Sequence, residues 1–215
     1  MVRQRVRIRF SKSGNLKYIG HKDLLRAFVL LFRRAGLPFA MSGGFHPKIK
    51  MSFPSALALG IEGFDEVLEL ELKESVDNSV LLADLNCQSI DGLKFLSAKI
   101  LNEAERKGKL VLSIFEMIVP EQFRIETMNR ITEFLSQKTV IAKKSNGKTP
   151  TKEVDVREAV KNIKFQTETG VLQAEIISCE GPEAGIRELL FVLNLDKEYF
   201  QTIFPKRIKC VLAGE

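Results

Sequence analysis

Two histidines stand inside a strongly cationic stretch of the chain, and they are the side chains best suited to moving a proton. His21 follows Gly20 and precedes Lys22-Asp23, and His46 lies in Ser42-Gly43-Gly44-Phe45-His46-Pro47-Lys48-Ile49-Lys50. A ribose 2′-hydroxyl attacking the adjacent phosphate needs a proton acceptor, with cations around the pentavalent phosphorus. A neutral imidazole at His21 or His46, with Arg26, Lys48 and Lys50 nearby in sequence, supplies that set without a metal. Each histidine also has a plainer reading, as a residue opening a helix or as half of a His-Pro turn. Contact with a ligand is a weaker demand than catalysis, and the loop suits it. Gly43 and Gly44 let backbone approach closely, Ser42 offers a hydroxyl, and Phe45 can stack on a base.

The charge around these residues is segregated. Residues 1–50 carry twelve basic side chains against one acid, Asp23, which is +11, and the remaining 21 basic and 26 acidic residues sum to −5. A cationic concentration of this kind raises the local density of polyanions and their rate of encounter. Arg5, Arg7 and Arg9 alternate with Val6, Ile8 and Phe10. In an extended strand the three guanidinium groups would project from one face at about 7 Å intervals, near the spacing of successive phosphates. The predicted contact face for RNA is therefore Arg5, Arg7, Arg9, Lys12, Arg26, Arg33, Ser42, Gly43, Phe45, Lys48 and Lys50, with His21 and His46 beside it.

The elements that must carry these residues can be read from periodicity. Val6–Phe10 is a strand, Ser11–Asn15 a turn, and Gly20–Ala35 a helix with Leu24, Phe28, Leu31 and Phe32 inward, closed by Gly36 and Pro38. Leu37–Lys50 is a loop with a short strand at Leu37–Met41. Met51–Leu59 reads as a strand at an edge or bulge because of Pro54, Glu66–Leu72 as an alternating strand, Asp77–Asn86 as a helix and Leu93–Leu101 as a strand. Glu69 and Glu71 read as the solvated side of their strand.

That order, β-α-β-β-α-β, predicts an α+β ferredoxin-like domain. After the polar segment Asn102–Lys109 the pattern recurs. Leu110–Val119, Thr139–Lys144, Val171–Cys179 and Arg207–Leu212 read as strands. Glu121–Ser136 reads as a helix on Phe123, Met128, Ile131 and Leu135, and Pro182–Leu195 as another. Ser145–Thr151 is a hairpin tip around Asn146-Gly147, and Val154–Val156 and Ile163–Phe165 read as a further strand or an extension, with boundaries the sequence leaves open. The expectation is two tandem ferredoxin-like domains with antiparallel sheets, residues 1–103 and 109–215.

Composition removes several function classes. The chain has 215 residues, 45% hydrophobic and 28% charged, enough to bury a core and unlike a disordered composition. Its longest apolar run, Ala27–Phe32, is six residues, far short of the roughly 20 that a bilayer requires. Met1–Phe10 has no apolar h-region, so no secretory signal is expected. Cys87, Cys179 and Cys210 lie 92 and 31 positions apart with no CxxC pair, so neither a zinc site nor an iron–sulfur cluster is expected. Sparse, odd cysteines suit a reducing cytoplasm. No Walker A loop, dinucleotide fingerprint, HExxH, GxSxG or paired acidic cluster occurs, so no metal or cofactor is expected.

Arg5–Lys12, Lys17–Leu24, Arg33–Pro38, Ser42–Phe53 and Ala56–Gly60 together resemble the radical-SAM-associated (radical-SAM-linked) bacterial protein family, a domain of unknown function. The likeness covers residues 5–72. It implies a domain encoded beside, or fused to, a radical SAM protein, near genes for an E/G-type ribonuclease and ribosomal proteins. This chain lacks a CxxxCxxC cluster motif, so the resemblance implies the partner of a radical SAM protein. Gly20 and Lys22 flank His21 where serine and a hydrophobic residue are expected, and Lys48 and Lys50 stand where a second histidine and an arginine are common.

The resulting expectation is an RNA-binding accessory protein for tRNA or rRNA, working with a radical SAM enzyme. The rivals are a metal-independent endoribonuclease using a histidine and the basic loop, by fold analogy alone, and a protein-docking module without RNA.

Overall fold

The computed structural model describes residues 4–102, 104–144, 152–178, 184–195 and 205–215. The chain forms two compact units, residues 1–110 with 212–214 and residues 111–211 with 215.

The first unit runs from β1 (Gln4–Lys12) through a 3-10 turn (Gly14–Tyr18), α1 (His21–Arg34), β2 (Met51–Ser52), β3 (Glu62–Leu72) and α2 (Asn78–Cys87) to β4 (Leu93–Leu101). Its strand neighbours are β4-β1-β3, with β2 also paired to β3, and each pair is antiparallel. This is the split β-α-β-β-α-β, ferredoxin-like plan, so the α+β class read from the sequence holds.

The core follows from the alternation in β1. Gln4, Val6, Ile8, Phe10 and Lys12 are buried on one face. Against them α1 packs Leu24, Phe28, Leu31 and Phe32, the stripe its spacing predicts. Phe10 meets Phe28 edge-on at 5.2 Å between centroids, and Phe95 of β4 lies 5.8 Å from Phe28. Leu68, Leu70 and Leu72 of β3 and Leu81 and Leu85 of α2 complete this core. Each such side chain removed from water contributes about 2 kcal/mol.

Two expectations for this unit change. The strand expected over Met51–Leu59 shrinks to Met51–Ser52, because Pro54 has no N–H to donate and ends the ladder. The alternation of Glu66–Leu72 is a strand, but its acidic side is not solvated. Glu66, Val67, Leu68, Glu69 and Leu70 are buried in succession, so both faces of β3 are covered there.

The second unit contains β5 (Leu110–Ile118), a 3-10 turn (Glu121–Phe123), α3 (Arg124–Ser136), β6 (Ile141–Lys144), β7 (Lys152–Asp155), α4 (Val156–Ala159), β8 (Val160–Gln166), β9 (Val171–Ile177), α5 (Ile186–Val192) and β10 (Lys206–Leu212). Its strand-neighbour order is β10-β5-β9-β8, with β5–β9 and β8–β9 antiparallel, while β6 and β7 form a separate antiparallel pair.

The segment expected as the second strand of this unit, Thr139–Lys144, is thus displaced from the sheet by β8. β8 contains Ile163–Phe165, which the sequence offers as a strand or an extension, and a register shift between Val160 and Asn162 breaks its period-2 pattern and obscures its start. The helix α3 is turned relative to the expected stripe: Thr127, Ile131 and Phe134 are buried, whereas Met128 and Leu135 are exposed. The predicted turn at Asn146-Gly147, and Cys179 and Pro182, lie outside the described residues. No helix among the described residues is long and apolar enough to cross a membrane.

Candidate nucleic-acid interface

The arginines of β1 point away from the core, as alternation requires, but they do not stand free as a phosphate ladder. The antiparallel register sets Arg7 opposite Glu69 and Arg5 opposite Glu71. Arg7 donates to Glu69 Oε1 through Nε at 3.1 Å and Nη2 at 3.0 Å. The two side chains are only 10% and 8% exposed. Arg9 pairs with Asp65 at 2.5 Å.

The same sheet face carries the connecting segment after β4. Arg5 Nη1 donates to the Glu105 carbonyl at 2.7 Å, and the Gly108 amide donates to Glu69 Oε1 at 2.8 Å. Lys99 donates to Glu105 Oε1 at 2.7 Å. That ammonium, together with the Asn102 amide, holds the Glu105 carboxyl below the usual glutamate range. Lys12 is 1% exposed, and its Nζ donates to the Ile19 carbonyl at 3.0 Å. Four of the cations expected to meet phosphate therefore meet protein.

A second group of the expected residues faces water. His21 opens α1, where its ring packs edge-on against Phe53 at 5.3 Å, and Gly20 is the N-cap. Arg33 is exposed on α1, as are Lys22 and Arg34, which the predicted contact face does not include, and Arg26 holds Asp23 at 2.9 Å on the open surface. Arg33 and Arg34 close the last turn, where cations also complement the helix dipole.

The loop between α1 and β2 is the most exposed of the candidate segments. Its base is tied: Met41 bridges Ile49, the Ser42 amide donates to the Lys48 carbonyl at 2.7 Å, and the Lys48 amide donates to Ser42 Oγ at 2.9 Å. Lys50 anchors it to β3 through Glu71 at 3.1 Å. Between these ties Gly43, Gly44, Phe45, His46, Pro47 and Lys48 are all exposed, and Gly44 turns through φ +99°, a backbone that favours glycine. Phe45 is fully exposed, at 101% of its reference area.

The structure thus divides the expected site. Arg5, Arg7, Arg9 and Lys12 are engaged within the first unit, and Lys50 serves as an anchor. Ser42 shapes the loop, while Gly43, Phe45, His46 and Lys48 are presented at its tip. No hydrogen bond or ring contact joins His21 to His46. Among the described residues no three His, Cys, Asp or Glu side chains come together to hold a metal ion.

A family model for an uncharacterized protein conserved in bacteria (DUF2344) matches residues 5–187. The chain belongs to that family. The DUF2344 match includes β1, α1 and the exposed loop as well as much of the second unit. No curated protein matches the chain. Among solved structures, an unknown protein from Galdieria sulphuraria is similar at 7% identity and a TM-score of 0.32, with 98% of this chain and 99% of that one covered. A putative glycine cleavage system transcriptional repressor is similar at 11% identity and a TM-score of 0.26, covering 95% and 98%. Likeness at that level carries no functional weight.

Proposed function

We propose that this DUF2344 protein is an RNA-binding accessory protein whose contact surface is the Ser42–Lys48 loop together with the exposed cations of α1. One observation carries the reading: Phe45 stands fully in water at the tip of a tied loop, between Gly43-Gly44 and His46-Pro47-Lys48. A large apolar ring held outside the core gains nothing for the fold, and an exposed aromatic beside cations is what stacking on an unpaired base requires. Lys22, Arg26, Arg33, Arg34 and Lys48 supply attraction for phosphate without base specificity. The resemblance over residues 5–72 adds the finer part of the proposal, that the RNA is tRNA or rRNA presented to a radical SAM protein in the cytoplasm.

The protein-docking reading is favoured by a different observation, the internal neutralisation of the β1 arginines, which leaves less cationic surface than the composition suggests. In that reading Phe45 is an anchor for a pocket on a partner protein.

Crosslinking and sequencing of bound RNA from cells, with wild type and Phe45→Ala in parallel, separates the two. RNA recovered with wild type and lost with Phe45→Ala supports the proposal. Co-purification of a radical SAM protein without RNA supports docking. If the recovered RNA is cut to 2′,3′-cyclic ends, and the cutting is lost in His46→Ala or His21→Ala, the protein is instead a nuclease.

A further inference from the structure

The face of the first unit that carries Arg5 and Glu69 is not filled completely. A cleft of about 230 Å³ lies beside β2 and β3, lined by Arg5, Lys50, Ser52, Glu69, Glu71 and Lys107 among others. The two carboxylates in it are already engaged: Glu69 accepts from Arg7 and the Gly108 amide, and Glu71 accepts from Lys50. The donors are not all engaged. Arg5 Nη2 is buried and has no hydrogen-bond partner, and its ion pair with Glu69 Oε2 is a loose one at 3.7 Å. Neither the Ser52 hydroxyl nor the Lys107 ammonium has a hydrogen-bond or ion-pair partner among the described residues.

A buried guanidinium N–H with an ion pair but no hydrogen bond is uncommon in a folded protein, and an acceptor bound beside it is one explanation. Arg5, Lys50 and Lys107 against Glu69 and Glu71 leave the lining at +1. The space is about eight water volumes at ~30 Å³ each, below the ~300 Å³ at which drug-sized pockets begin.

We propose that this cleft binds a small phosphate monoester, with Arg5 Nη2, Lys107 Nζ and Ser52 Oγ as its donors to the phosphate oxygens. One guanidinium N–H with a lysine ammonium and a hydroxyl makes a charge-assisted donor set suited to a tetrahedral oxyanion. The proposal does not rest on the RNA reading, because none of these three donors belongs to the Ser42–Lys48 loop or α1. Two sources share the chemistry: a free nucleotide, or the terminal phosphate of an oligonucleotide.

The test is calorimetric titration of the full chain with inorganic phosphate, AMP and adenosine in chloride of matched ionic strength. A short oligonucleotide, 5′-phosphorylated or 5′-hydroxyl, completes the set. Saturable binding of phosphate and AMP, but not adenosine, is expected, and Lys107→Ala and Ser52→Ala should each weaken it about tenfold. Arg5→Ala is a poor first variant because Arg5 Nη1 also holds the Glu105 carbonyl, so circular dichroism must show that each variant remains folded. Binding of the 5′-phosphorylated but not the 5′-hydroxyl oligonucleotide assigns the site to RNA ends, and binding of phosphate and AMP but of neither oligonucleotide assigns it to free nucleotides. Adenosine binding as well as AMP, no phosphate binding above the chloride control, or equal affinity in Lys107→Ala and Ser52→Ala would each overturn the assignment. Loss of RNA in Phe45→Ala with phosphate binding intact separates failure of one proposal from failure of the other.

Discussion

Arg7 and Glu69 face each other in register across β1 and β3, and the guanidinium reaches one carboxylate oxygen through both Nε and Nη2. The side chains are nearly closed to solvent, so the pair is a structural clamp on the sheet face rather than a surface charge. Breaking it leaves an uncompensated buried charge. Arg7→Ala should destabilise the protein by about 3 kcal/mol, measured by urea unfolding, while RNA affinity of the folded protein changes little. A large loss of RNA affinity with unchanged stability would instead return Arg7 to the binding surface.

Phe45→Ala should behave in the opposite way. The ring touches water on all sides, so unfolding free energy should stay within about 0.5 kcal/mol of wild type. Loss of one stacked base should weaken RNA binding by about 1–3 kcal/mol, and Phe45→Trp should restore it. Fluorescence anisotropy with a labelled single-stranded RNA checks both.

The engagement of Arg5, Arg7, Arg9 and Lys12 limits the salt dependence of any RNA complex. In the proposed RNA surface, the exposed Lys22, Arg26, Arg33, Arg34 and Lys48 are left to meet phosphate. Five contacts to a single strand imply a log–log slope of affinity on salt no steeper than about −3.5. A markedly steeper slope, measured by anisotropy across a salt series, means that cations outside this surface take part.

The α2 helix gives a pH signature. Asp77 is its N-cap, and its carboxylate accepts from the Ser79 hydroxyl and amide, which holds its pKa below the ordinary aspartate range. A carboxyl whose pKa is lower folded than unfolded stabilises the protein fully above the unfolded value. It loses that contribution as pH falls through the folded one. Asp77→Asn should therefore flatten the acid limb of thermal stability below the ordinary aspartate pKa. An unchanged acid limb would show that this cap does not contribute.

Gly92 tests the turn before β4. Its φ is +82°, and a Cβ there would run into the Ser13 carbonyl, whose own amide donates to the Gly92 oxygen at 2.8 Å. Gly92→Ala should cost at least about 1 kcal/mol from the left-handed backbone alone, with the clash adding to it. Gly43→Ala, in open space with ordinary φ, should cost far less in the same denaturation assay.

Most of the first unit was legible because its signals are local. The Arg/apolar alternation fixes which face of β1 is buried, and Leu24, Phe28, Leu31 and Phe32 fix the inner face of α1. The loop tip was legible too, since glycine, proline and charge mark exposed backbone. The second unit was harder to read. A register shift breaks the pattern of β8, and α3 buries Thr127, a polar residue that no apolar stripe reveals.

What the sequence determined alone is which residues alternate, which helix face is apolar, and that the cations crowd into the first fifty positions. What only tertiary structure decided is which of those cations remain available. Arg7 and Glu69 are 62 positions apart, and only the pairing of β1 with β3 sets them within hydrogen-bond reach. Ion pairing depends on distance through space and on burial, neither of which a one-dimensional charge count contains.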